Sequence, residues 1–203
     1  RHFRLGSKMA SYIFCFRCCR DGTFGAGHVP LKEVPVVRLD TQHVGNDVVI
    51  VKNGRRICGT GAALANAPIA QNKAYFEIKI QCTGVWGVGL ATRKCGINKV
   101  PLGADTDSWV LRQDGTMYHN GEQKGKLTDV PQEGDVMGVS YDHIEMNFFL
   151  NGAPLSTPFM GIKGTVFPAF YVDNGAVLDV QFNKFYHQPP DGFDSIMIEQ
   201  SLL

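Results

Sequence analysis

No stretch of this chain stays apolar for the eighteen or so residues that a membrane-crossing helix needs. Nothing reads as a secretory leader either. The apolar run Tyr12–Phe16 is too short for a signal core and gives way at once to Arg17, Cys18 and Cys19. Charge of one sign is also lacking: 20 Lys and Arg against 19 Asp and Glu leave a net +1. There is therefore no global electrostatic reason to expect nucleic acid or an anionic membrane as partner. Helical periodicity is missing as well. The best candidate, Gly61–Ala70, is alanine-rich but contains Pro68 beside flanking glycine, which limits it to a short turn. Catalytic signatures are absent: no G-x-S-x-G elbow, no helix-borne histidine pair, no Ser–His–Asp set assignable by spacing. The chain is expected to be intracellular, and its six cysteines to be reduced thiols.

What is present is alternation broken by tight turns. In GDVMGVSYDHIEMNFFLNG, Ile144, Met146, Phe148 and Leu150 point one way, and Glu145, Asn147 and Phe149 the other. A pleated strand needs that period of two to lay one face on a core. The run stops at Asn151-Gly152, a dipeptide that tolerates the positive φ angles of a hairpin turn. Asn-Gly or Asp-Gly recurs at 53–54, 114–115, 120–121 and 174–175. Candidate strands are Val36–Leu39, Val48–Lys52, Arg56–Cys58, Tyr75–Ile80, Trp86–Ala91 and Trp109–Gln113. Thr116–His119, Asp135–Tyr141, Ile144–Leu150, Thr165–Val172 and Ala176–Phe182 complete the set. In Tyr75–Ile80 the inward residues are Phe76, Ile78 and Ile80, with Tyr75, Glu77 and Lys79 outside. In the last strand Ala176, Leu178, Val180 and Phe182 share a face opposite Val177, Asp179 and Gln181. The reading is all-β: two packed antiparallel sheets. The polar connection Thr92–Ser108 is the longest without a pattern, either a binding element or an inert excursion.

Residues 1–8, ahead of Met9, have the look of an expression remnant, and 9–34 of a flexible cysteine-containing arm. One domain is expected over 35–193, with a tail over 194–203. Hydrophobic content of 44% and charged content of 19% suit such a globular unit.

Three segments, Tyr75–Thr92 (YFEIKIQCTGVWGVGLAT), Gly134–Gly152 and Thr165–Val172 (TVFPAFYV), together resemble the SPRY domain in order and spacing, over about Val34 to Phe193. The arm FCFRCCRDG further resembles that of a small SPRY subfamily in which an arm and one such domain form the whole protein. The resemblance implies a bent β-sandwich of concanavalin-like jelly-roll type that binds short peptide segments of protein partners through loops at one edge, without catalysis. The positions matching the family's binding loops are Thr83–Gly84, Tyr118 in MYHNG, and Asp173-Asn174-Gly175. Some relatives place a tryptophan where this chain has Asn174, so their ligand preference does not carry over. No RING, B-box or coiled-coil segment is present, so ubiquitin-ligase roles of tripartite-motif relatives do not carry over either.

From the residues themselves, Tyr118 offers an amphipathic ring as an anchor, or else only packs across its hairpin. Trp109 is either a wall of the same cleft or core, and His119 either lines the cleft or faces solvent. Asp173 and Asn174 favour a ligand with a basic or amide side chain. The glycines of Gly84–Gly89 continue as strand instead of opening a helix, so they do not make a nucleotide loop and are expected to allow close sheet-to-sheet approach. Cys15, Cys18 and Cys19 form C-x-x-C-C, with His28 the nearest further ligand; four zinc ligands are not in view. They are free thiols, or acylation sites beside Arg17 and Arg20, in which case the protein touches membranes. No metal or cofactor is expected, and a monomer is. The runner-up is a carbohydrate-binding sandwich. A retaining glycosidase needs two carboxylates about 5 Å apart, which Glu77, Glu145 and Asp179 on separate strands do not provide. A calcium-dependent lectin would rest on Asp105/Asp107 with Asp173/Asn174. A third reading makes the domain structural and the arm its working part.

Overall fold

The computed structural model describes residues 35–198, and among these every regular element is a β-strand. The cysteines of the arm and the segments 1–8 and 9–34 lie outside the described residues. The chain opens with β1 (Leu39–Val44), β2 (Asp47–Val51), β3 (Arg56–Ala65), β4 (Ala74–Cys82) and β5 (Val85–Ala91). A long loop leads to β6 (Ser108–Arg112), β7 (Thr116–His119) and β8 (Glu122–Lys126). Then follow β9 (Val136–Tyr141), β10 (Glu145–Leu150), β11 (Ala153–Pro154) and β12 (Phe159–Met160). The last are β13 (Phe167–Asp173), β14 (Val177–Gln181) and β15 (Asp194–Ser195).

Two layers result, as the alternation requires, but they form one continuous curled sheet. Layer one runs β11–β10–β9–β4–β14–β3 and layer two β3–β13–β5–β6–β7–β8. All pairs are antiparallel except β15, which lies parallel to β4. Strand β3 belongs to both layers: Arg56 and Ile57 pair with β14, whereas Gly61–Leu64 pair with β13. It turns the corner at Gly59, whose φ of +92° suits glycine. A Cβ there would stand 2.2 Å from the Asp47 carbonyl oxygen. The stretch Gly61–Ala65, which resembles a weak helical turn in sequence, is therefore strand: its alanines are small because both of their faces are covered.

The main core fills the space between the layers, with Phe76, Ile78, Met146, Phe148, Phe170 and Val180 fully buried. Each such side chain contributes roughly 1.5–3 kcal/mol. A second cluster lies on the outer face of layer two, around Ala62, Leu64, Val110, Ala169 and Tyr171. Residues 92–107 fold over it and bury Cys95 and Leu102. That loop is thus not an inert excursion. Burial pushes the Cys95 thiol up to about 12, with Asp105 and Asp107 adding to the shift.

The outer face of layer one is covered too, so the outward residues of β4, though rightly placed by the alternation, are not in solvent. Tyr75 and Glu77 are 1% and 0% exposed. The segment after β14 crosses them: Glu77 accepts hydrogen bonds from the Tyr186 and His187 amides at 2.6 and 3.0 Å and from the Tyr75 hydroxyl at 3.0 Å. Asp194, Ser195 and buried Ile196 continue this strap, so the expected tail is folded structure as far as residue 198. Ile144 corrects the other way: it sits in the turn before β10, after His143 at φ +69°, and is 69% exposed. The glycines of β5 make room within their own sheet, not between sheets. A Cβ at Gly87 would meet the Tyr171 ring at 2.1 Å, and one at Gly89 the Trp109 carbonyl oxygen at 2.0 Å.

Candidate functional site

Two of the turns singled out in the sequence meet where the chain changes layer. Thr83–Gly84 carries it from β4 to β5, and Asn174–Gly175 from β13 to β14. Neither turn joins strands that pair with each other, so they are corners, not hairpin tips. They touch: a Cβ on Gly84 would lie 2.6 Å from the Ala176 nitrogen and 2.7 Å from the Asn174 carbonyl oxygen. Asn174 and Gly175 hold φ of +49° and +81°, the pair of angles that Asn-Gly accommodates. Asp173 is fixed by the Thr60 hydroxyl at 2.9 Å and the Asn174 amide at 2.8 Å. The Thr83 amide donates to Glu133 at 3.0 Å.

Tyr118 lies on the outer face of layer two. Register puts it opposite Val110, on the face that also carries Arg112. The Arg112 guanidinium carbon stands 3.5 Å from the Tyr118 ring centroid, and its Nη2 donates to the Leu102 carbonyl at 3.2 Å. Between Tyr118 and the corners the sheet is continuous. Gly87 of β5 pairs with Arg112 on one side and Tyr171 on the other, and Val85, two residues back, pairs with Asp173. The Tyr171 ring crosses the space that Gly87 leaves. Burial holds its phenol far above the ordinary value, with Arg112 pulling the other way and Asp114 adding to the rise. The Tyr171 hydroxyl, Arg112 Nε and Gln113 Oε1 are buried and have no hydrogen-bond partner among the described residues. The result is a strip of layer two running from Tyr118 over Arg112 and Tyr171 to Asp173 and the two corners.

Trp109 and His119 are not part of it. Alternation places them on the opposite face, where the two rings stack at 4.5 Å and 10°. Trp109 is 3% exposed in the main core. His119 has Nδ1 2.9 Å from the Ser108 carbonyl oxygen, which makes it a donor there. With Met117 and Phe159 it borders a separate cavity of about 260 Å³. Arg112 and Tyr171 are what residue-by-residue reading missed. The signal was available: a hairpin turning at Asp114-Gly115 puts 110, 112 and 118 on one face.

The acidic residues weighed for sugar or calcium chemistry are engaged elsewhere. Glu77 is under the strap, Glu145 accepts from Asn147 at 2.8 Å, and Asp179 is held by Arg56 and Lys52. Asp105 and Asp107 fix residues 92–108 from within, near Ala91, at the end of β5 opposite Asp173. Among the described residues no three His, Cys, Asp or Glu side chains converge as a metal would require.

The family model for the SPRY domain matches residues 73–185. SPRY domain-containing protein 7 of Bos taurus is 59% identical over 197 residues, 96% of this chain and all of the relative. The Mus musculus protein of the same name is 60% identical over 195 residues, 95% and 98% of the two chains. Among solved structures, the PSpry domain of TRIM65 superposes with a TM-score of 0.60 over 71% of this chain and 90% of that one, at 15% identity. That likeness confirms the sandwich architecture, and the relatives bear out the subfamily resemblance.

Proposed function

Because this chain belongs to the SPRY domain family, a family of protein-interaction modules, we propose that it captures an extended peptide segment of a partner protein along the Tyr118–Asp173 strip. The observation that carries this reading is the Tyr118 ring held against the Arg112 guanidinium, on the same face as the touching corners at Thr83–Gly84 and Asn174–Gly175. A half-buried aromatic fixed by a stacked cation presents a preorganised anchor. At the accessible corner Asp173 offers a carboxylate and Asn174 a side-chain amide to a ligand. A basic or amide side chain of an extended peptide answers both. The reading is non-catalytic and needs no cofactor.

The test is capture of cellular partners by the purified full chain, with Tyr118→Ala and Asp173→Ala combined. Losing a central aromatic anchor costs about 2 kcal/mol or more, roughly thirtyfold in affinity. The melting temperature should change little, since the Tyr118 ring is half-exposed. Partner capture unaffected by the double variant would remove the strip from consideration.

A further inference from the structure

We propose a second interaction surface at the opposite end of layer two, a basic cleft that takes an acidic peptide segment. The cleft encloses about 600 Å³ where β5 ends and β6 and β13 begin, so the length of β5 separates it from the Asp173 corner. Two loops that are distant in sequence converge there. One contributes Arg93 and Lys94, the other Lys163, and Phe167 lies in the lining.

The acids and bases around the cleft are used differently. Asp105 accepts from the Gly96 and Asp107 amides and the Ser108 hydroxyl, and Asp107 from the Thr92 hydroxyl at 2.6 Å. These carboxylates are spent holding the loop together. Arg93 donates to Asp40 at 2.8 Å while its guanidinium carbon sits 4.5 Å from the Phe167 ring centroid. Its charge is thereby fixed over an aromatic floor at small further entropic cost on binding. Lys94 and Lys163 are exposed, and among the described residues neither ammonium has a carboxylate or hydrogen-bond partner. Asp40 pairs with Arg93 and Asp107 is turned to Thr92, which leaves the two unpaired ammonium groups of Lys94 and Lys163 as the charges the cleft offers to a ligand. Charge complementarity selects a partner of opposite sign, and a peptide carrying neighbouring Asp or Glu can reach both lysines.

The inference stands on geometry separate from the Tyr118 strip, and its test keeps the two apart. The probe is a fluorescein-labelled hexaglutamate peptide, followed by anisotropy with the full chain. Binding is expected at low salt and should weaken as salt rises, because exposed charges are screened. Lys94→Glu with Lys163→Glu should weaken it by about tenfold or more, since like charges then face the ligand. Tyr118→Ala should leave it unchanged. Absence of binding, or binding indifferent to the charge reversal, overturns the proposal. So does equal loss in Tyr118→Ala, which would fold the cleft into the first site. A labelled oligothymidylate of matched charge that binds more tightly than hexaglutamate would overturn the assignment to a peptide.

Discussion

Asp179 stands on the solvent side of β14, yet its side chain is only 9% exposed because Arg56 from β3 and Lys52 close over it. Arg56 donates through Nε and, at 2.8 Å, through Nη2; Lys52 donates at 3.1 Å. Burial pushes the carboxyl up, but the hydrogen bonds from Arg56 and Lys52 outweigh it and hold the group below the usual carboxylate range. A depressed folded-state value stabilises the fold above the unfolded value near ~3.9, and that contribution disappears as pH falls through the lower folded value. Asp179→Asn should therefore cost about 1–3 kcal/mol at neutral pH. In urea titrations the gap between variant and wild type should close steadily below about pH 4. A gap that stays constant down to pH 2 would show that the loss is one of packing and not of charge.

At the level of elements, alternation located most strands because each layer has one face on the common core. It misled about exposure, not about strands, where a second covering was added. Strands β5 and β13 were located all the same, although nearly all their residues are buried, one face by the other layer and one by residues 92–107. In β4 the polar outer residues are real, but Glu77 lies under the strap instead of in water, a long-range arrangement that no local pattern encodes. Strand β8, EQKGK, was missed because an exposed edge strand of polar residues has no hydrophobic period. The site was legible to a similar degree. The touching corners and Tyr118 could be named from the sequence, whereas dividing Tyr118 from Trp109 and His119 needed the hairpin register. The strap offers a direct test. Glu77→Ala leaves two backbone amides and the Tyr75 hydroxyl without their acceptor and should cost about 3–5 kcal/mol. Amide exchange at Tyr186 and His187 should become loop-like while that of Ile78 and Val139 falls only with global stability. Unchanged protection at Tyr186 and His187 would mean that the contacts of Phe185 with Tyr75 and of Lys79 with Tyr186 hold the strap unaided.

Over the whole molecule, sequence order and strand order are interleaved. Strand β14 lies between β4 and β3, and β13 between β3 and β5, so the second half of the chain fills two gaps in the sheet made by the first. Tyr171 pairs with Ala62, a separation of 171 − 62 = 109 residues. Without β13 and β14, strand β3 would keep only β1 and β2 as neighbours, and the buried faces of β4 and β5 would have open edges. Closing such distant pairs is entropically costly before any burial compensates, which places folding in the millisecond-to-second range typical of sandwiches. A chain cut in the connection between β8 and β9, at 127–135, should therefore give halves that each lack cooperative unfolding and near-ultraviolet circular dichroism. Mixing the halves should restore both signals, and with them the Tyr118–Asp173 strip, since Tyr118 and Arg112 come from one half and Tyr171 and Asp173 from the other. A first half, residues 35–130, that melts cooperatively by itself would show that the layers are independent folding units and that β3 does not bind them into one.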